Sequence, residues 1–280
     1  MLSRLPAAAG ALFALLATGC ATSVAPAAPP PPPAEEHAAF LLPLDPYVLD
    51  ESGLIRVLDA TDVVAERCAK QAGVEWPAVD RPDRGPSPNR RRYGVAETLI
   101  ARMYGYHPPP DPALEETTSR SERRLKELDG GEREKILGPG GCLEKARSEV
   151  NGGLGPLEDQ PSESIDQISF AESKSDPKVA GALQEWTSCI ISHGYSFKDP
   201  LTAASDSRWN SPTASPEEKK IALADVDCKK KSDLVRVWSS AEAKIQTRLI
   251  NENRDRLGPL RELKETQLRN AARILSAPGP

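Results

Sequence analysis

The sequence predicts an all-α protein: an irregular helical ectodomain with two disulfide-stapled helical units and a long C-terminal helix. Three observations lead to this prediction. Apolar residues recur at three- and four-residue steps over long stretches, which is the period of an amphipathic helix. Alternating runs of β-branched and aromatic residues, which would indicate strands, are nearly absent. Four cysteines besides Cys20 lie in or beside the helical stretches, and an even number favours disulfides.

The composition sets limits on the class of protein. With 280 residues, 39% of them hydrophobic and 28% charged, the chain can form a core, which excludes wholesale disorder and a polytopic membrane protein. A formal net charge of -5 argues against a nucleic-acid partner, because such a protein needs a basic surface. Aromatic residues make up only 5%, so covalent cross-links would compensate for a core that gains less from burial.

The N-terminus resembles the signal peptide of a bacterial lipoprotein. Arg4 precedes an apolar run, residues 7–17, which is too short to span a bilayer but fits a signal-peptide core. The run ends in Leu-Ala-Thr-Gly before Cys20, which resembles a lipobox. We therefore expect a signal peptide over residues 1–19, lipidation of Cys20 with palmitate-like acyl chains, and a location on the extracytoplasmic face of the cell membrane. An ordinary secretory signal cleaved nearby is the alternative.

The lipidated cysteine is followed by a proline-rich tether, residues 20–43. Its centre is an unbroken run of prolines, Pro29–Pro33. Such a run favours an extended polyproline II conformation and supplies no apolar surface for a core. A ligand for an SH3-like or WW-like domain is the competing interpretation of the run.

Cys68, Cys142, Cys189 and Cys228 allow three disulfide pairings. The segments after Cys68 and Cys189 share the pattern C-x4-G-x2-aromatic, and each is followed by a second cysteine on a charged helix. This weak internal repeat favours the pairs Cys68 with Cys142 and Cys189 with Cys228. It also divides the chain into a first unit, residues 44–151, and a second unit, residues 162–276. No metal site or cofactor is expected, since C-x-x-C spacing is missing and histidines are few.

The remaining helices follow from local start and stop signals. Acid-proline and serine-proline pairs at Asp176, Asp199 and Ser215 mark helix starts, and Gly73 and Gly194 mark helix ends. The predicted helices are 54–71, 95–103, 121–128, 132–137, 142–150, 162–173, 177–193, one long helix from Pro216 to a break at Gly258-Pro259, and a last helix over 260–274.

The proline-rich region 77–112 contains the best candidate binding surface in the sequence. Arginine and tyrosine together are typical of recognition sites, because they combine anion binding with ring stacking. The residues are Arg90, Arg91, Arg92, Tyr93, Tyr104, Tyr106 and His107. The competing interpretation is that the tyrosines pack a long loop onto the helices while the arginines are solvated.

The sequence contains no motif that indicates a catalytic mechanism. The sequence has no nucleophile elbow, zinc-protease motif or phosphate-binding loop. Ser175 and Lys178 match a serine-lysine spacing, but Pro177 marks a helix start between them. We therefore expect a non-enzymatic binding or accessory subunit with an envelope protein or the cell wall as partner. The alternative is a cell-wall hydrolase with its site near residues 90–107.

Several short segments together resemble secreted or lipid-anchored helical proteins of high-GC Gram-positive (actinobacterial) cell envelopes. The segments are the lipobox at Cys20, the Gly-x-x-Trp-Pro end of the Cys68 segment, Arg92-Tyr93-Gly94, Tyr104 to His107, Trp186 to Cys189 with Gly194-Tyr195, and Ala224 to Lys229. The resemblance implies a four-cysteine helical ectodomain and an envelope location. It assigns no catalytic residue.

Overall fold

The computed structural model describes residues 40–82, 89–155, 157 and 160–277, and their regular structure is helical, with no strand in these ranges. The all-α class is therefore confirmed. The predicted signal peptide, Cys20 and most of the predicted tether lie outside the described residues. The helices are α1 (Glu51–Gln71), α2 (Thr98–Tyr104), α3 (Pro112–Glu127), α4 (Gly130–Leu137), α5 (Cys142–Val150), α6 (Pro161–Ser173), α7 (Pro177–Ser192), α8 (Pro200–Ala204), α9 (Pro216–Lys231), α10 (Leu234–Glu252) and α11 (Arg254–Ser276). Short 3-10 turns lie at Asp45–Tyr47 and Ser207–Trp209.

The predicted start and stop signals lie at the observed helix ends. The side chains of Asp176, Asp199 and Ser215 accept hydrogen bonds from the first-turn amides of α7, α8 and α9. Each of these helices has proline in its first turn, where its missing amide hydrogen costs nothing. Gly73 (φ 68°) and Gly194 (φ 85°) follow the ends of α1 and α7 in the left-handed region that favours glycine.

The first hydrophobic core lies between α1, α5 and α11. Its buried side chains include Val64, Trp76 and Ile136, with Ala271 and Ile274 supplied by the last helix. The disulfide between Cys68 and Cys142 joins α1 to α5 in this core, as predicted.

The second core lies between α6, α7, α9 and α10. Trp186 and Trp238 are fully buried at its centre. The predicted disulfide between Cys189 and Cys228 joins α7 to α9 across it, with Cα atoms 5.6 Å apart. A smaller cluster, which includes Leu44, Leu249 and Leu257, extends the apolar interior towards the start of α11.

Each disulfide thus belongs to one core, but helices cross between the two halves of the sequence. α11, from the second half, packs on α1 and α5, and α2, from the first half, packs on α9. The described residues from 40 to 277 all belong to one compact unit. The boundaries proposed at 151 and 162 stay a prediction.

The predicted long helix from Pro216 to Gly258 is interrupted, which corrects the prediction. α9 ends at Lys231, and Asp233 adopts a left-handed conformation (φ 51°) before α10 begins. The second break falls at Asn253 instead of Gly258-Pro259, since α11 continues through Pro259. Pro259 lies in the second turn of α11 on the exposed face, so its ring faces solvent and only one backbone hydrogen bond is lost.

Candidate functional site

The described residues form a half-open cavity of about 460 Å³ where the segment 90–97 lies over the junction of α9 and α10. This volume falls within the range of about 300–1,000 Å³ that is typical of small-molecule sites. The residues in its wall are Phe40, Arg90, Tyr93, Gly94, Ala96, Glu97, Lys229, Lys230, Asp233, Val235, Arg236 and Ser239. Apolar surface predominates, so the cavity suits a ligand with an apolar body.

Tyr93 forms the inner apolar wall. Its ring is stacked on Phe40 at a centroid distance of 5.4 Å and lies 4.9 Å from the ring of Trp238. Its hydroxyl donates a hydrogen bond of 2.7 Å to Glu242. Burial, reinforced by the bond to Glu242, raises the pKa of Tyr93, so the hydroxyl stays protonated and continues to donate.

Glu242 holds the cavity segment onto the helices beneath it. The carboxylate is fully buried and accepts hydrogen bonds from Arg92 Nε at 2.9 Å, Tyr93, Ser169 and Gln246. Arg92 also pairs with Asp166 on α6 at 2.8 Å. Arg92 and Tyr93 thereby fasten the segment to both α6 and α10.

A second buried ion pair lies under the cavity floor. Lys229 Nζ donates to the carbonyl of Val95 and to Asp225, each at 2.8 Å, and Trp186 Nε1 donates to the same carboxylate at 2.9 Å. Burial lowers the pKa of Lys229 and raises the pKa of Asp225, while the pairing opposes both shifts. Gly94 (φ 82°) passes directly over the lysine, because a Cβ there would lie 2.9 Å from Lys229 Nζ.

The cavity lining has an excess of positive charge, with the cations Arg90, Lys229, Lys230 and Arg236 and the carboxylates Glu97 and Asp233. Arg90 pairs with Glu97 at 2.7 Å, and its Nη2 atom is buried without a hydrogen-bond partner in the described part of the chain. Lys230 donates to the neutral hydroxyl of Thr98 at 2.6 Å, and within the described ranges no carboxylate pairs with it.

The start of α10 also lies in the cavity wall. Asp233 occupies the N-cap position, but its carboxylate bonds to the guanidinium of Arg236 and caps no amide of the helix. The first amides of a helix have no intrahelical partner and carry the positive end of its dipole. The apolar cavity thus opens on a rim that favours an anionic group.

The structure separates the seven residues predicted as a binding surface. Arg90 and Tyr93 line the cavity, and Arg92 lies behind it. The other four residues lie elsewhere: Arg91 donates to the backbone carbonyls of Tyr106 and His107, and Tyr104 and Tyr106 are buried.

The segment therefore does not form an exposed surface of tyrosines and arginines. Tyr93, Tyr104 and Tyr106 are 2%, 9% and 6% exposed, because they pack the loop onto the helices. This agrees with the packing interpretation of the tyrosines. The arginines differ from both interpretations, since Arg90 and Arg92 are paired with carboxylates of the fold.

The residues that α9 and α10 contribute to the cavity are not among those predicted from the sequence. Lys229 and Lys230 lie in a run of three lysines that reads as a solvated helix face. The available signal was Asp225 four residues before Lys229, inside an apolar stripe where a charged residue needs a partner. Asp233 and Phe40 carry no local signal, because their positions depend on tertiary packing.

His107 is used in packing. Its Nδ1 lies 2.8 Å from Glu218 Oε1 and its Nε2 lies 2.7 Å from the carbonyl oxygen of Ser211. Both neighbours are acceptors, so both ring nitrogens donate when the ring is protonated, and these bonds, first the one to Ser211, raise the pKa of His107. His107 lines neither this cavity nor a smaller one beside Leu44.

The comparisons with known proteins identify no relative: no family model matches the chain, and no curated protein or solved structure matches it significantly. The resemblance to actinobacterial envelope proteins therefore stays a prediction. In the described ranges, no helix is both long and apolar enough to cross a bilayer.

Proposed function

We propose that the protein is a cell-surface lipoprotein that acts as a non-enzymatic binding subunit at the bacterial envelope, and that it binds an amphipathic anion in the cavity. The observation that carries the proposal is the combination of a mostly apolar cavity with an excess of positive charge in its lining. Its apolar wall would bury the ligand body. Its rim would bind a carboxylate or a phosphate group.

The rim supplies the charge for an anion contact. Lys230 is an exposed cation with no carboxylate partner among the described residues, and Arg90 and Arg236 lie in the same wall. Charged hydrogen bonds to an anion contribute more than neutral ones. An anion should therefore bind more tightly than a neutral or cationic head group on the same apolar body.

The predicted anchor would keep this cavity close to the membrane. Phe40, in the cavity wall, lies 20 positions after Cys20. A polyproline II segment of that length reaches about 60 Å at roughly 3.1 Å per residue. A ligand taken from an envelope protein, the membrane or the cell wall would be within this reach.

The ligand class is tested by calorimetric titration with four probes that share a ten-carbon chain: decanoate, decyl phosphate, decanol and decyltrimethylammonium, each below its micelle concentration. We expect the two anions to bind about tenfold or more tightly than decanol, in line with a charged hydrogen bond. The two anions distinguish a carboxylate ligand from a phosphate ligand. Equal binding of decanol and the anions, or no binding of any probe, would overturn the proposal.

The site is tested with Lys230→Gln and a matched control, Lys178→Gln, on the exposed face of α7. The first substitution should weaken anion binding about tenfold and leave decanol binding unchanged. The control should change neither. An equal effect of both substitutions would show that the anions bind by general surface charge.

The anchor is tested by mass spectrometry of the N-terminal peptide from cells that express the full chain. We expect a diacylated Cys20 as the first residue, and release of the Cys20→Ala variant from the membrane fraction. An unmodified peptide that begins at another residue would favour an ordinary secretory signal.

The hydrolase alternative makes a separate prediction. It requires soluble fragments to be released from purified cell wall, and that release to stop in a His107→Gln variant. The binding proposal predicts no release by the unmodified protein.

A further inference from the structure

Three potential metal ligands lie together where the end of α7 meets α9. The ligand atoms of Cys189, His193 and Cys228 all lie within 4.8 Å of one another. In the oxidised protein the two sulfurs form the second disulfide and cannot bind an ion. We propose that, when this disulfide is reduced, the three side chains bind a thiophilic divalent cation such as Zn²⁺.

The backbone positions already suit such a site. Cys189 and His193 are four residues apart at the end of α7, so their side chains lie on the same face of the helix. Cys228 faces them from α9, which packs against α7. Zinc lies about 2.3 Å from sulfur and about 2.0 Å from nitrogen, so the ligand atoms of a tetrahedral site lie about 3.5–3.8 Å apart. The two sulfurs, now 2.03 Å apart, would separate on reduction, and the histidine nitrogen would move about 1 Å closer. Small side-chain rotations would therefore complete the site.

The histidine has a partner that would orient its ring. Its Nε2 lies 3.5 Å from Asp227 Oδ2, and the same carboxylate oxygen pairs with Lys231 at 2.7 Å. The distance from Nε2 to Oδ2 is at the limit of a hydrogen bond, so a small movement of the ring would let Nε2 donate to the carboxylate. Nδ1 would then be the metal ligand, with raised basicity. His193 is exposed, Cys189 is half-buried and Cys228 is fully buried, so the cation would approach from the histidine side. Water would supply the fourth ligand.

The reaction is balanced with a thiol as the reductant. Two thiol molecules reduce the Cys189–Cys228 disulfide to two cysteine thiols and are oxidised to one disulfide. The cation then displaces one proton from each cysteine thiol and binds the two thiolates. The ion would join α7 to α9 in place of the disulfide, so these two helices would have two alternative cross-links.

The other disulfide serves as an internal control. Among the residues that the structure describes, no comparable cluster of three ligands includes Cys68 or Cys142. Reduction of that pair should therefore leave two thiols without a third protein ligand. Tight binding of the cation should then depend on Cys189, His193 and Cys228.

The test uses the full chain with Cys20→Ser, reduced with excess thiol that is then removed without air. Cobalt(II) is the probe, because its thiolate charge-transfer absorption reports Co–S bonds, and Zn²⁺ is then added as a competitor. We expect one cobalt ion per reduced chain, displaced by Zn²⁺, and none per oxidised chain. Far-UV circular dichroism follows the helix content, so binding that restores helicity to a partly unfolded reduced chain also supports the proposal. Failure of the reduced chain to bind would overturn it.

Three variants locate the binding. Cys68→Ser/Cys142→Ser should retain one cobalt ion when reduced. Cys189→Ser/Cys228→Ser should lose it, and His193→Ala should weaken it about tenfold or more. An affinity that His193→Ala leaves unchanged, or binding that survives Cys189→Ser/Cys228→Ser, would overturn the assignment.

Discussion

Replacing Glu242 with glutamine should lower the free energy of unfolding more than the same replacement of an exposed glutamate nearby. The carboxylate is fully buried and accepts from Arg92, Tyr93, Ser169 and Gln246. Glutamine has the same shape but no charge, and its amide nitrogen places a donor where acceptors are needed. The guanidinium of Arg92 would lose its buried counter-ion.

Breaking a buried ion pair by removing one partner costs about 3–5 kcal/mol. Arg92 is 15% exposed and keeps Asp166 at 2.8 Å, so we expect the lower value, about 3 kcal/mol. The assay is urea unfolding followed by far-UV circular dichroism. Glu172→Gln is the matched control, because Glu172 on α6 pairs with Arg248 on α10 at 2.7 Å on the exposed surface. That substitution should cost less than about 1 kcal/mol.

The double variant Arg92→Gln/Glu242→Gln tests whether the two charges act as a unit. If they do, the double variant loses little more stability than either single variant. A loss for Glu242→Gln no larger than that for Glu172→Gln would refute the reasoning, since burial would then not govern the cost.

Three further predictions concern the cross-link, a histidine and a glycine. Cys189→Ala/Cys228→Ala removes a disulfide with a sequence separation of 39, which the chain-entropy model values at about 4 kcal/mol of unfolding free energy. His107 has a raised pKa in the fold, so the stability that it contributes is complete below its unfolded pKa of about 6.5. That contribution is lost as the pH rises through the higher folded pKa. NMR titration of the ring measures the folded pKa. Gly94→Ala should lower the free energy of unfolding in urea more than Gly73→Ala does. Both glycines have positive φ, which costs an alanine about 1–2 kcal/mol, but only at Gly94 would the added Cβ crowd a neighbour.

Each of these predictions has a contrary outcome. An unchanged urea midpoint for the cysteine variant would mean that the cross-link constrains neither state. A folded pKa of His107 at or below 6.5 would contradict its two acceptor contacts. Equal losses for the two glycine variants would mean that Lys229 moves aside without cost.

Helices that have both a start signal, such as Asp-Pro, and a stop glycine could be predicted closely from the sequence. For α7, Asp176-Pro177 and Gly194 predict 177–193, and the helix runs over Pro177–Ser192. The disulfide pairs were predictable because each lies within one of the two repeated patterns. α3 was predicted to begin at 121 but starts at Pro112, capped by Asp111, because this start signal stands at the end of a proline-rich region that was read as irregular.

The break between α9 and α10 could not be predicted, since no glycine or proline marks it. Asp233 can adopt the left-handed conformation because its short polar side chain tolerates it, but the pattern of the sequence does not require it. The same break creates the cavity wall and the uncapped first turn of α10. The cavity was therefore beyond sequence reasoning: its walls come from the segments at 40, 90–97 and 229–239, whose meeting depends on long-range packing.

The packing of α11 on α1 and α5 has a consequence for the order in which the chain can fold. A ribosome or a translocation channel delivers the N-terminal residues first, yet the core around Val64 and Trp76 lacks Ala271 and Ile274 until the last helix arrives. Contacts this far apart in sequence slow folding, because a long loop must close first. A chain truncated before residue 254 should leave this core open to water, and proteolysis should then begin at α1.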